Sequence, residues 1–167
     1  MLIRNTAPSD AFVFFGATGD LAYKKIFPAL LAMSRRGRLD LPIVGVAKSG
    51  WTRDQLVERA RASVSENGGM DEASFLRLVQ HLHYVDGDYN DPATFTAISK
   101  LLGSASHPLH YLAIPPSMFP VVIERLAEAG LAKDARVVVE KPFGRDLASA
   151  RALNDTIHRA FPEDSIF

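Results

Sequence analysis

The sequence contains no cysteine, and that absence excludes disulfide bonds, thiolate metal sites and a cysteine nucleophile. It also lacks net charge, since 19 basic residues balance 19 acidic ones, so nothing points to a nucleic acid or an anionic membrane surface. No apolar run is long enough to cross a bilayer, and the N-terminus, with Asp10 just ahead of the first apolar run, lacks the layout of a secretory signal. We therefore expect a cytoplasmic protein with no membrane and no nucleic-acid partner.

The 167 residues are 47% apolar, enough to bury one good core but few for an enzyme of two domains. Short apolar runs that indicate buried strands alternate with amphipathic stretches that indicate helices. We predict strands at 12–15, 42–48, 82–85, 109–114 and 136–141, helices at 21–36, 52–66, 71–81, 91–102, 117–129 and 146–160, and the approach to a further strand at 161–167. This order predicts one α/β domain over residues 1–167, Rossmann-like and doubly wound, with a mostly parallel sheet and helices on both faces.

The stretch that organises the chain runs from Phe12 to Ala22. Four large apolar residues indicate a strand buried on both faces, and Gly16, Gly19 and Ala22 follow at the spacing of a nucleotide-binding turn. In such a turn the first position permits the tight bend, the second lets a pyrophosphate approach, and the third lets helix pack on strand. The helix amides and dipole then face the anion. An ordinary strand-to-helix turn is the alternative, but the strand before it and the amphipathic segment after it favour a nucleotide.

The end of the second predicted strand bears on the choice of coenzyme. In this architecture that end meets the adenosine ribose, and an acid there favours NAD. This chain instead has Lys48 followed by Ser49, with no acid before Asp54. A cation at this place favours a 2'-phosphate, and so NADP, although a solvated surface lysine is the common alternative.

Two further strand ends carry candidate coenzyme contacts. Gly87 and Asp88 follow the third strand, and they either edge the adenine or form a plain turn. Tyr111 lies in the fourth strand, as part of the core or as a wall of the coenzyme site. Pro115 and Pro116 stop that strand in rigid backbone on the ligand side of the sheet.

The fifth strand ends in Glu140 and Lys141, a combination that core packing does not explain. Glu140 suits an ion pair with a neighbour. Lys141 suits a fixed cation and hydrogen-bond donor for substrate oxygens beside the nicotinamide. His81 and His83 lie two apart without an evident third ligand, so we predict no metal site.

Four motifs in a fixed order carry a resemblance to a known family. They are Gly16-Ala17-Thr18-Gly19-Asp20-Leu21-Ala22 with Lys24-Lys25 and Pro28, then Gly45-Val46-Ala47-Lys48-Ser49, then Tyr111-Leu112-Ala113-Ile114-Pro115-Pro116, and Glu140-Lys141-Pro142-Phe143-Gly144-Arg145-Asp146-Leu147. Each is modest alone, but in this order they are highly specific. The chain resembles the N-terminal coenzyme domain of the glucose-6-phosphate dehydrogenase family.

The resemblance implies oxidation of glucose 6-phosphate to 6-phosphogluconolactone, with hydride passing to NADP, in the oxidative pentose phosphate pathway. It implies that residues 16–22 hold the pyrophosphate, Lys48 the 2'-phosphate, Tyr111 and Pro115 the nicotinamide side, and Lys141 both substrate and coenzyme. Asp20 would stabilise the helix start. The family often has Arg in place of Lys48, which implies a weaker NADP preference here. An intact family member is expected to be a homo-oligomer.

The family's sugar-phosphate signature and its base would follow Phe167, in a substrate and catalytic domain absent from this chain. We therefore expect a fragment that binds NADP without turnover. The sheet face meant for the missing part would be exposed, which predicts weak self-association. The alternatives are the coenzyme domain of a Gfo/Idh/MocA-type sugar oxidoreductase, whose strand also ends in Glu-Lys-Pro, and a non-catalytic NADP-binding module.

Overall fold

The computed structural model describes residues 7–67, 69–140 and 145–167. Its centre is a five-stranded sheet in the order β3-β2-β1-β4-β5, in which each neighbouring pair is parallel. The strands are β1 (Ala11–Phe15), β2 (Ile43–Ala47), β3 (Leu82–Asp86), β4 (Pro108–Leu112) and β5 (Arg136–Val139). The order reverses direction between β1 and β4, as in a doubly wound fold, and this confirms the predicted fold class.

Helices cover both faces of the sheet. They are α1 (Phe27–Arg35), α2 (Arg53–Asn67), α3 (Glu72–His81), α4 (Pro92–Leu102), α5 (Phe119–Glu128) and α6 (Leu147–Ala160). The first three share one buried cluster with Phe14, and the last three share a second cluster with Phe15. Within the described ranges no helix is both long and apolar enough to cross a membrane.

The first strand is buried on both faces, as its apolar run predicts. The Phe14 ring packs edge to face on Phe27 of α1, with centroids 5.6 Å apart, and the Phe15 ring stacks on Phe95 of α4 at 6.0 Å. All four rings are at most 1% exposed. Because aromatic burial of this size contributes several kcal/mol, this strand anchors the glycine turn that follows it.

The helix predicted over residues 21–36 is interrupted near its start. A π-helical turn, Ala22–Ile26, precedes α1, and Phe27 donates its backbone N–H to the Ala22 carbonyl. Pro28 then occupies the first turn of α1, where a missing N–H costs little. The helix is therefore widened locally just ahead of this proline.

Among the predicted helix starts, the structure differs at one and agrees at two. Ser117 does not cap a helix: residues 116–118 form a 3-10 turn, and α5 begins only at Phe119 without a side-chain cap. Asp91 and Asp146 cap α4 and α6 through their carboxylates, at the places where these helices are predicted to begin. The segment after α6 reaches the sheet edge at Ile166, which forms an isolated parallel bridge with Val137.

A buried histidine packs against the rings of Phe15 and Phe161 in the second cluster. His110 of β4 is fully buried, its Nε2 lies 2.8 Å from the Leu131 carbonyl oxygen, and its Nδ1 has no partner. Burial lowers the pKa of His110 to about 4, below the 6.5 of a free imidazole. The neutral ring is therefore the form that the fold accepts.

We expect the free energy of unfolding to fall as pH drops. The unfolded chain takes up a proton at His110 near pH 6.5, whereas the folded chain resists it until about pH 4, so stability is complete above 6.5 and is lost between these values. At pH 5 the loss should be on the order of 2 kcal/mol. Urea unfolding at pH 7.5 and 5 should show it; His110→Leu should flatten the slope, whereas exposed His158→Gln should not.

An apolar groove of 530 Å³ lies between α1 and the strands β1, β4 and β5. Its lining includes Phe12, Met33, Tyr111 and Val138. We identify this groove as the candidate for the exposed sheet face that the sequence predicts.

We expect the 167-residue chain to self-associate weakly through the groove, because apolar side chains there gain by excluding water. Sedimentation velocity should show a sedimentation coefficient that rises with concentration. Met33→Lys in the groove should reduce the rise, whereas Leu76→Lys, an exposed apolar residue outside it, should not. A single monomer at high concentration would contradict this expectation.

Candidate functional site

The glycine turn begins where three strands converge. Gly16 has φ +81°, and a Cβ placed on it would lie 2.1 Å from the Ala113 carbonyl oxygen at the end of β4. Its N–H donates to the Val46 carbonyl of β2 and to the Tyr89 hydroxyl, both at 2.9 Å. The tight bend that the spacing predicts is therefore enforced by both backbone conformation and crowding.

The rest of the turn is compact and ends in a helix. Gly19 donates its N–H to the Gly16 carbonyl at 3.0 Å, and a Cβ on Gly19 would approach that oxygen to 3.3 Å. Ala17 and Ala22 are fully buried, whereas Gly19 and Asp20 are exposed at the edge of the sheet. The helical segment that starts here directs its positive end toward this edge, where an anion is stabilised.

Lys48 is paired with another predicted residue. Its Nζ lies 2.8 Å from Asp88 Oδ2, which joins the end of β2 to the turn after β3. The lysine and, next, the Asn90 backbone N–H lower the pKa of Asp88 to about 2, and the carboxylate raises the pKa of Lys48. The Lys48 ammonium at the end of β2 therefore has an acidic neighbour.

The loop after β2 is tied to both of its neighbours. The Ser49 hydroxyl shares a 2.7 Å hydrogen bond with Thr18 of the glycine turn. The N–H groups of Ser49 and Gly50 donate to Asp86 Oδ1 at 2.9 and 3.0 Å, and the Tyr84 hydroxyl donates to the same oxygen at 2.7 Å. Asp86 therefore fixes this loop, a role that the sequence analysis missed although Asp86 directly precedes Gly87.

Gly87 has a structural reason to be a glycine. Its N–H donates to the Ala47 carbonyl at 2.9 Å, and a Cβ would lie 2.3 Å from the Thr94 hydroxyl. That hydroxyl in turn donates to the Asp88 carbonyl at 2.8 Å. The turn lets α4 approach the sheet closely, and contact of Gly87 or Asp88 with an adenine stays a prediction.

Tyr111 projects from β4 to the α1 side of the sheet. Its ring packs edge to face on Phe12 with centroids 6.4 Å apart, and its hydroxyl donates to Glu140. Burial, followed by that carboxylate, raises the pKa of Tyr111. Pro115 is exposed just beyond β4, while Lys141, predicted to contact substrate and coenzyme, lies outside the described residues.

An arginine that the sequence analysis did not single out lies against the turn. The Arg59 guanidinium carbon is 4.7 Å from the Tyr23 ring centroid and 5.9 Å from that of Trp51. Its Nη2 is 3.4 Å from the Gly19 carbonyl oxygen. No motif marks Arg59, because its place depends on how α2 packs. In the described part of the chain no cluster of His, Asp and Glu is suited to a metal ion.

Comparisons with known proteins agree with this geometry. A family model described as "Glucose-6-phosphate dehydrogenase, NAD binding domain" matches residues 13–167. Glucose-6-phosphate 1-dehydrogenase 1 of Mycobacterium tuberculosis H37Rv is 46% identical over 158 residues, with 95% of this chain and 34% of the relative covered. The Bacillus subtilis enzyme is 31% identical over 175 residues, covering 98% and 35%. The chain thus spans about a third of the length of these relatives.

Solved structures agree as well. The crystal structure of glucose-6-phosphate 1-dehydrogenase from Mycobacterium avium superimposes with a TM-score of 0.90 at 45% identity, covering 96% of this chain and 35% of that one. A glucose-6-phosphate dehydrogenase in complex with its substrate gives 0.85 at 32% identity, covering 97% and 37%.

Proposed function

The chain belongs to the glucose-6-phosphate dehydrogenase family, and from that premise we propose that it is the coenzyme domain of an enzyme that oxidises glucose 6-phosphate with NADP. The reaction would give 6-phosphogluconolactone, the oxidative entry to the pentose phosphate pathway. The observation that carries the coenzyme assignment is Lys48, a cation at the carboxyl end of β2 beside the turn that starts at Gly16. An NAD site would favour an acid at that place.

The described residues fit a bound dinucleotide. Gly16 and Gly19 have no side chain that would obstruct a pyrophosphate approaching the turn, and the helix start supplies a positive end. The Thr18 and Ser49 hydroxyls and Lys48 offer donors to a phosphate on the adenosine ribose. When bound, NADP supplies the hydride acceptor. Its binding would require Lys48 to exchange or share the Asp88 carboxylate.

The nicotinamide half of the site is proposed from positions. Tyr111 and Pro115 at the end of β4 would border the nicotinamide, and Lys141 would contact substrate and coenzyme as a fixed cation. Hydride transfer from an alcohol also needs a base that takes the hydroxyl proton. We propose that this base and the sugar-phosphate contacts belong to a substrate domain beyond the third of the relatives that this chain spans.

Mixing this chain with glucose 6-phosphate and NADP should therefore give no NADPH above the enzyme-free rate, measured as absorbance at ~340 nm. Restoring a C-terminal half should start turnover, since it would add the base. Appreciable NADPH formation by this chain alone would contradict the proposal that the catalytic base lies in the substrate domain. Coenzyme binding without turnover in the restored protein would favour the non-catalytic module.

The family match disfavours the Gfo/Idh/MocA-type alternative. A cytoplasmic location belongs to the proposal, because sugar phosphates and NADP are multiply charged and do not cross a bilayer unaided. We also propose that the intact enzyme is a homo-oligomer. Gel filtration of the restored protein would test that state.

A further inference from the structure

Arg59 occupies an unusual electrostatic position on α2. Its guanidinium lies over the rings of Tyr23 and Trp51, and it reaches the glycine turn through the Gly19 carbonyl. The side chain is half-buried, and its Nε is buried without a hydrogen-bond partner. Aromatic faces hold a guanidinium in place while leaving its in-plane donors available.

Neighbouring arginines on the same helix are satisfied differently. Arg61 makes two hydrogen bonds with Glu72, at 2.8 and 3.0 Å. Arg53 donates to the carbonyls of Val79 and Leu82, at 2.6 and 2.7 Å. Among the ion pairs of the described residues none involves Arg59. A partly desolvated cation without a carboxylate is costly unless an anion joins it.

We propose that Arg59 is a second cation for the phosphate on the adenosine ribose, acting with Lys48; this inference rests on the proposed function. The guanidinium is placed between the glycine turn and the loop that carries Ser49 and Trp51, and Thr18 and Ser49 already join these two segments by a hydrogen bond. A guanidinium can donate two parallel hydrogen bonds to a phosphate, which an ammonium cannot.

The proposal also accounts for the Lys48–Asp88 pair. Since Asp88 lies 2.8 Å from the lysine, part of the lysine's charge is already neutralised. Arg59 has no such competitor among the described residues, so it would add an uncompensated charge to that of Lys48 in separating NADP from NAD.

The test is calorimetric titration of the full chain with NADP, NAD and adenosine 2',5'-bisphosphate. Arg59→Gln should weaken the affinity for NADP and for the bisphosphate about tenfold and change the affinity for NAD by less than about twofold. Only the first two ligands carry the phosphate on the 2'-oxygen of the ribose. Arg59→Lys should restore part of the loss. Arg61→Gln, with its cation on the same helix but facing Glu72, should leave all three affinities unchanged.

Equal losses for NADP and NAD would overturn the inference, because Arg59 would then act on the turn as a whole. Unchanged NADP affinity in a folded Arg59→Gln variant would overturn it too, while leaving the proposed function intact. Absence of NADP binding by the wild-type chain would instead overturn the proposed function. Thermal melts of each variant identify any loss that comes from unfolding.

Discussion

Gly16→Ala should abolish measurable NADP binding and lower the stability of the chain by about 3 kcal/mol or more. A Cβ at this position would meet the Ala113 carbonyl oxygen at 2.1 Å, a contact that requires backbone movement. The positive φ of +81° adds a second cost for any side chain. Either adjustment would shift the turn away from β2 and β4, and with it the proposed position of the pyrophosphate. Thermal melts and calorimetric titration with NADP measure the two effects separately.

Gly37→Ala provides the matched control. Gly37 also has a positive φ, +65°, but nothing lies within 4 Å of its added Cβ. This variant should lose about 1 kcal/mol from backbone conformation alone and bind NADP as the wild type does. If both variants lost the same stability and both kept NADP binding, crowding against Ala113 would not define the turn.

Lys48→Ala should weaken NADP binding about tenfold or more and leave NAD binding nearly unchanged. In the proposed site the lysine would contribute a charge-assisted hydrogen bond to a phosphate that NAD lacks. Asp88→Asn should act in the opposite direction and strengthen NADP binding a few-fold, because the lysine loses its carboxylate partner and the phosphate loses a repelling neighbour. Titrations of both variants with NADP and NAD measure the change in preference.

Lys100→Ala, which removes an exposed lysine on α4, controls for overall charge. Raising the salt concentration should reduce the preference of the wild-type chain for NADP over NAD. The reduction should be smaller for Lys48→Ala. An undiminished NADP preference in Lys48→Ala would show that another group recognises the phosphate.

The strands β1 and β2 could be predicted because each is a short apolar run in a parallel sheet and is buried on both faces. The helix starts at Asp91 and Asp146 could be predicted because an aspartate cap is a local interaction. The π-helical turn at Ala22–Ile26 and the 3-10 turn before Phe119 were not predicted. Both depend on how prolines shift the hydrogen-bond register, which residue types alone do not specify.

The site divides in the same way. Gly16 and Lys48 could be placed at the carboxyl ends of β1 and β2 from the sequence, where ligands of this fold class collect, and their contact with a coenzyme stays a prediction. No local sequence pattern marks Tyr89, because its hydroxyl accepts a hydrogen bond from the N–H of Gly16, 73 positions away along the chain. Arg59 lies within an ordinary helical stripe, and only the packing of α2 on the turn brings its guanidinium to Gly19. Such contacts depend on tertiary structure, and a single sequence does not reveal them.

The central claim is that this chain binds NADP at the glycine turn and discriminates it from NAD by cations near the end of β2. Calorimetric titration of the wild-type chain with NADP and with NAD, alongside a thermal melt, tests it most directly. We expect one site per chain and tighter binding of NADP than of NAD. A folded chain that binds neither nucleotide, or that binds NAD more tightly, would contradict it.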